Sequence, residues 1–290
     1  MSSDQTSQSI ELGHPKPWLF GVAVSHRGNV RAENQDRYAL VPLPQDDAVL
    51  ALVADGMGGH TGGSQAAELA KDTIQATLEK SEGQLYERLQ DSFVNADEAI
   101  RSRAKSEVRL VGMGTTGVAA VFYKGHCTHL YTGDSRLYHF RNSEEIYRTK
   151  DHSIVRYLVD EGLLTPEEAR SHPMRSRLTS SLGGGMQEKR LLLEPRWREG
   201  EREQLQPAVL QLASQDLVLL CSDGLCGEVT NEELNEIVKK HFDDPKKLAE
   251  ECVSAALAAG GRDNVTVIVV KVGTLEENAH SSDSAPAPPA

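Results

Sequence analysis

No apolar run in this chain approaches the ~20 residues that a membrane-spanning helix requires. The first ten residues, Met1 to Ile10, are rich in Ser and Gln and lack the basic-then-apolar order of a secretory signal. A cytoplasmic protein without a membrane partner is therefore expected. Cysteine is scarce. Cys127, Cys221, Cys226 and Cys252 form no C-x-x-C pair and sit among apolar neighbours, which argues against cysteine-ligated zinc and for reduced thiols inside a core. Basic residues are the minority, 31 Lys and Arg against 43 Asp and Glu for a net charge of −12, and they form no block. Nucleic acid and anionic surfaces are thereby disfavoured as partners. An acidic chain that handled a phosphorylated substrate would need a cation to bridge the repulsion.

Two nucleophile chemistries also lack their parts. No G-x-S-x-G elbow is present, so Ser135 and Ser222, each beside an aspartate, do not make a hydrolase triad. Cys221 has no arginine-rich phosphate loop, and an apolar strand around it would raise its thiol pKa. Gly112-Met-Gly-Thr-Thr-Gly117 matches G-x-G-x-x-G by letter. That fingerprint needs a strand before and a helix after, whereas here a helical pattern precedes and a β-rich segment follows.

What is present reads as one domain from residue 18 to 273, between a polar lead-in (1–17) and a Pro/Ala-rich tail (274–290), both expected to be disordered. Strands are expected at Trp18 to Ser25, with Asp36 to Val41 as hairpin partner, and at Leu50 to Asp55. Helices follow from about Gly63 to Ser81 and Gln84 to Lys105, with Ala66, Ala70, Ile74 and Leu78, then Leu89, Phe93, Ala96 and Ile100, at helical spacing. Further strands are expected at Thr115 to Tyr123, Thr128 to Thr132, Arg136 to Arg141, Leu191 to Leu193, Leu217 to Cys221 and Val265 to Val272. Two more helices are expected, at Asn231 to His241 and Pro245 to Ala259. A polar helical stretch, about 150–185, interrupts the strands, with Thr165-Pro166 starting a helix by N-cap and N1 proline. Strand runs alternating with helix pairs imply antiparallel sheets covered by helices.

The chemistry resides in aspartates. Asp55 ends an apolar run and is followed at once by Gly56-Met57-Gly58-Gly59-His60; Asp134 and Asp223 end two further strands, and Asp36 and Asp263 stand just before strands. Antiparallel neighbours place one strand's start beside the next one's end, so all five can meet at one rim. Such a cluster stays ionised only with compensating cations. Oxygen ligands select magnesium or manganese. Two such ions about 3.5–4 Å apart can hold a hydroxide between them and hydrolyse a phosphoester.

The stretches Arg31-Ala-Glu-Asn-Gln-Asp36, Asp55-Gly-Met-Gly-Gly-His60, Gly114-Thr-Thr116, Gly133-Asp-Ser-Arg136, Ser222-Asp-Gly224 and Gly261-Arg-Asp-Asn264 resemble, in order, those of the metal-dependent protein serine/threonine phosphatases of type 2C, the PPM family, in their compact bacterial form. The resemblance runs from about Trp18 to Val272. It implies an α+β fold, a four-layer α/β/β/α sandwich with two central antiparallel sheets and a helical flap at about 150–185. It implies hydrolysis of phosphoserine and phosphothreonine on proteins, including Ser/Thr kinases and their substrates, by a monomer. Asp55 would bridge two Mn2+ or Mg2+ ions, with Gly56 (through its carbonyl), Asp223, Asp263 and Asp36 completing their shells. Asp55 and Asp36 would be the catalytic aspartates, Arg31 would clamp the substrate phosphate, and Asp134 would bind a third, weaker ion. His172, in the flap, is a candidate for proton donation, although a turn or surface role is weighted above it and above the same role for His60. Two positions depart from the pattern: Gln35 stands where many relatives have Glu, and Met57 where larger members have His. A catalytically silent regulator that captures phosphoproteins is the alternative.

Overall fold

The computed structural model describes residues 7–16, 18–58, 62–184, 191–195 and 209–275. Two sheets, antiparallel at every paired strand, form its centre. The first runs β1 (Ser7–Lys16), β2 (Leu19–His26), β13 (Val265–Val272), β12 (Leu217–Cys221), β8 (Arg136–Arg141), β9 (Glu144–Arg148). The second runs β10 (Leu182–Gly183), β5 (Gly114–Thr115), β4 (Ala48–Met57), β6 (Gly117–Tyr123), β7 (His126–Thr132), β11 (Val209–Gln211), with β3 (Asp36–Leu43) paired along β4.

Strand periodicity explains why the sheets stack. Successive side chains of a strand point to opposite faces, so a strand buried on both faces reads as one apolar run. In β13, Val267 and Val269 face the helices outside the first sheet, whereas Ile268, Val270 and Val272 fill the space between the sheets. In β4, Val49, Ala51 and Val53 point between the sheets and Leu50 and Leu52 point outward. The outward face of the second sheet is covered by α1 (Gly62–Lys80) and α2 (Leu85–Ser106), through Ala66, Ile74, Leu89 and Phe93. Over the first sheet lie α5 (Asp223–Cys226), α6 (Asn231–His241) and α7 (Pro245–Ala258), through Leu225, Leu234, Val238, Leu248 and Cys252. The four-layer α/β/β/α sandwich is the observed fold, and all four cysteines are free and buried. The insertion holds α3 (Ile154–Asp160) and α4 (Pro166–Ser171), the latter opened by a capping box between Thr165 and Glu168.

Several local expectations are corrected. The segment at Asp36 does not pair with β2. It crosses to the second sheet and pairs with β4, because both edges of β2 are taken by β1 and β13. The lead-in is not without structure, since Ser7–Lys16 forms β1. Sheet-edge pairing satisfies backbone groups whatever the side chains, so a polar segment can serve. Leu191 to Leu193 forms no strand; Glu194 links this segment to β7 through a backbone bridge to Tyr131 and a hydrogen bond from the Tyr131 hydroxyl. Strands β9 and β11 and the short α5 carry too little periodic pattern to be read in advance. The tail expectation falls outside the described residues beyond Leu275, which itself packs against the inter-sheet core.

Two buried ionic contacts hold these layers. Arg88 on α2 forks to Asp46 in the β3–β4 turn (Nη1 to Oδ1 2.5 Å, Nη2 to Oδ2 3.0 Å) and also reaches Ser81 Oγ and Leu78 O at the end of α1. Arg88→Met would strand a partly buried carboxylate. We expect it to lower the unfolding free energy by about 3 kcal/mol, read as a lower urea midpoint at unchanged slope. Asp216, with its side chain 1% exposed, accepts from His139 Nε2 (2.8 Å), Arg141 and the Ala213 amide. Burial alone would raise its pKa, but these hydrogen bonds prevail and hold it at about 2. A depressed carboxylate stabilises the fold above its unfolded pKa, and the contribution disappears as pH falls through the folded value. The stability difference between wild type and Asp216→Asn should therefore carry a pH-dependent part of about 1–2 kcal/mol after allowance for screening. It should shrink between pH 4 and pH 2; a pH-independent difference in urea titrations would refute this.

Candidate active site at the aspartate rim

The strand register brings the aspartates to one end of the sandwich. Asp36, the first residue of β3, lies opposite Asp55 near the end of β4. In the other sheet Cys221 faces both Arg136 and Val267. Asp134 before β8, Asp223 after β12 and Asp263 before β13 thus lie beyond the same end of neighbouring strands. Val265 pairs with His26, so the segment bearing Arg31 leaves the sheet from that end too.

Hydroxyl groups join the two halves. Asp36, 3% exposed, accepts at Oδ2 from Ser222 Oγ (2.8 Å) and Thr266 Oγ1 (2.7 Å), both in the opposite sheet's strand ends. Ser25 and Asn34 continue the chain of bonds behind them. Thr116 accepts at Oγ1 from the Asp55 amide (3.0 Å), donates its own amide to Asp55 O (2.9 Å) and bonds Ser135 Oγ (2.7 Å), beside Asp134. The Asp55 carboxyl stands close enough to those of Asp36 and Asp223 for their charges to repel it. Gly56 has no room for a side chain, since a Cβ there would lie 2.3 Å from Gly63 O at the start of α1. Arg31, 53% exposed, donates from Nη2 to Asp263 Oδ2 at 2.6 Å.

The electrostatics are those of crowded like charges. Burial first, then Asp223 and Asp263, push the Asp36 carboxyl up to about 7 against the lowering effect of the Thr266 and Ser222 bonds. Burial, with Asp36, Asp223 and Asp134 as neighbours, raises Asp55 well above the usual range. Asp134 is raised by burial and then by Asp223, and Asp223 by burial and then by Asp263. Arg31 is raised chiefly by its bond to Asp263.

These residues fit hard divalent cations. Asp36 Oδ1 and Asp223 Oδ1 are buried oxygens without a hydrogen-bond donor; such acceptors are costly to leave unpaired, and a cation would serve both. The donor set is all oxygen, as magnesium and manganese prefer. Among the described residues no group of three or more acidic, His or Cys side chains stands close enough to hold an ion by itself.

Not every expected residue joins the rim. His172 caps the end of α4, and its Nδ1 accepts from the Met174 amide (3.1 Å) in its own turn. His60 lies outside the described residues. Conversely, Ser222, Thr266, Thr116 and Asn264 serve the rim without having been singled out as site residues. Ser222 and Asn264 flank aspartates already chosen, a signal that was there to use. Thr266 showed only as a polar residue in a β-branched strand.

Comparison with known proteins bears on this arrangement. A family model described as protein phosphatase 2C matches residues 24–259. The chain is 38% identical over 254 residues to the serine/threonine protein phosphatase PstP of Mycobacterium tuberculosis, covering 87% of this chain but only 44% of that protein. It is 32% identical over 265 residues to the serine/threonine phosphatase stp of Listeria welshimeri, covering 88% of this chain and 97% of the relative. The crystal structure of the catalytic domain of PstP, a complex with two manganese ions, superposes with a TM-score of 0.70 at 33% identity over 88% of this chain and 99% of that domain.

Proposed function

The chain belongs to the protein phosphatase 2C family, and from that premise we propose that it is a metal-dependent phosphoprotein phosphatase hydrolysing phosphoserine and phosphothreonine. One observation carries the reading: the strand register sets aspartates of both sheets at one end of the sandwich, where two buried carboxylate oxygens, Asp36 Oδ1 and Asp223 Oδ1, lack donors. Asp55, Gly56 (through its carbonyl), Asp223, Asp263 and Asp36 are the residues proposed to hold two ions, manganese or magnesium, with Asp134 for a third. Bound there, such ions supply Lewis acidity towards a phosphoryl group and acidify water at neutral pH.

The protein's own contribution is placement and charge. Asp36, tied by two hydroxyls to the opposite sheet, keeps the sheets in register at the rim and leaves one oxygen facing away from its hydrogen bonds. Arg31, exposed and forked, is suited to bind two oxygens of the substrate phosphate. Thr116 fixes the Asp55 backbone at both its amide and its carbonyl, so the carboxyl is aimed by the strand. Hydrolysis is read as a single displacement: the two serines at the rim are buried, with Ser222 Oγ tied to Asp36 and Ser135 Oγ to Thr116.

Residues 18–273 act as one domain in this reading, as a monomer in the cytoplasm, on Ser/Thr kinases and the proteins they modify. No helix among the described residues is long and apolar enough to cross a membrane. The capture-only alternative finds no support in the relatives, which are named as phosphatases. The test is release of phosphate from peptides bearing phosphoserine, phosphothreonine or phosphotyrosine, with Mn2+, with Mg2+ and with chelator. Turnover of the first two only, abolished by chelator, is expected; metal-independent turnover would refute the proposal.

A further inference from the structure

The segment from Arg27 to Gln35 has no regular structure, yet it joins β2 of one sheet to β3 of the other and carries Arg31. One buried side chain grips it. Asn264, 4% exposed, donates from Nδ2 to Arg27 O (2.7 Å) and Glu33 O (2.9 Å) and accepts at Oδ1 from the Gln35 amide (2.8 Å). Two carbonyls and one N–H as partners leave no ambiguity about which end of the amide is which. The anchored positions, 27, 33 and 35, bracket Arg31 on both sides. Neighbouring residues brace the same loop: Asn29 donates its amide to Gly261 O (2.7 Å) and its Nδ2 to Leu257 O and Gly260 O. The Asn264 amide in turn donates to Asp263 Oδ1 (2.8 Å). A single residue therefore sets both the backbone under Arg31 and the carboxylate that Arg31 contacts.

We propose that Asn264 is a positioning residue that fixes where the Arg31 guanidinium stands relative to the aspartate rim, and hence how tightly the substrate phosphate is held. This rests on the phosphatase reading above. A long, half-exposed arginine loses its aim when its loop is free, because ordering of the backbone must then be supplied at binding. No other small side chain offers the same set. Asp lacks both donors, Leu would leave three buried backbone groups unpaired, and Ser is too short to span positions 27 and 35 together.

Amide hydrogen exchange on Asn264→Ala, without substrate or metal, comes first. The 27–36 segment should exchange about tenfold faster or more, while β2 and β13 keep their protection. Asn264→Asp, which keeps the volume and the acceptor for Gln35, is the second variant. It should retain protection at Gln35 while the rest of the loop loosens. Unchanged exchange of the loop in both variants would overturn the proposal. Kinetics on p-nitrophenyl phosphate with Mn2+ then separate aiming from general damage. Asn264→Ala should raise KM about tenfold with kcat within about threefold, and should add less than about twofold to KM when Arg31 is already Ala. A full further penalty in the Arg31→Ala background would overturn the proposal, as would a fall in kcat at unchanged KM. Calorimetry of Mn2+ binding to Asn264→Ala should stay within about threefold of wild type; a larger loss would mean that Asn264 acts through the metal ligands instead. A wild type that cleaved no phosphomonoester would refute the phosphatase reading, and exchange would still decide whether the clamp exists.

Discussion

Asp55→Asn is expected to lower kcat/KM for a phosphoserine peptide by about 10³-fold or more, some 4 kcal/mol of transition-state stabilisation, while the protein stays folded. The amide keeps the shape of the carboxyl group but not its charge, and it would be a poor ligand for the cations proposed at this rim. The effect on stability runs the other way. Burial first, then Asp36, Asp223 and Asp134, raise the Asp55 pKa. A carboxyl with a raised folded pKa destabilises the fold when ionised and costs nothing extra when protonated. At neutral pH and without added metal, the Asn variant should therefore melt at or above the wild-type temperature, and at low pH the difference should vanish. Added Mn2+ should stabilise wild type and not the variant, since an ion that binds only the folded state raises its stability by mass action. Near-normal turnover in a folded Asp55→Asn protein would sink the assignment. A variant that unfolded would instead show that Asp55 is needed for the fold.

Gly224→Ala should be as damaging to activity for a different reason. Gly224 follows Asp223 in α5 and lies against the residue after Asp263. A Cβ there would stand 1.9 Å from Asn264 O and 2.8 Å from its carbonyl carbon. Both atoms belong to the backbone, so no rotamer change relieves the overlap, and the loops carrying Asp223 and Asp263 must separate. We expect a loss of about 2–3 kcal/mol in stability, typical of overpacking, and a fall of about 10²-fold or more in kcat/KM, because misplacement by about 1 Å is enough for that. The stability change is read from urea titration and the rate from the phosphopeptide assay. Full activity in the variant would mean that the two aspartates do not act as one constellation.

The aspartates themselves were legible in the residues. Each of Asp55, Asp134 and Asp223 closes an apolar run, and a run that ends on a carboxylate followed by glycine or a small polar residue shows where a strand stops and a surface begins. The long helices were legible for the same reason, as Ala66, Ile74, Leu89 and Phe93 repeat at the period of the buried face. The pairing of Asp36 was not. A strand's own sequence records that it is extended and buried, but not which neighbour supplies its hydrogen bonds, and β3 found β4 because β2 already had two partners. Leu191 to Leu193 shows the converse error. Three apolar residues suffice to suggest a strand but not to make one, and the segment contributes one bridge and some packing.

What the residues determined by themselves was therefore the layered fold, the acidic rim and the hard-cation chemistry, since periodicity, charge and strand ends are local properties of the chain. What only the tertiary structure decided was how the rim is held. Ser222 and Thr266 reach Asp36 across 186 and 230 positions of chain, and Asn264 grips the Arg31 loop across more than 225. Such contacts follow from the stacking of two sheets rather than from any pattern along one strand. Their energy depends on burial, which no stretch of sequence carries alone.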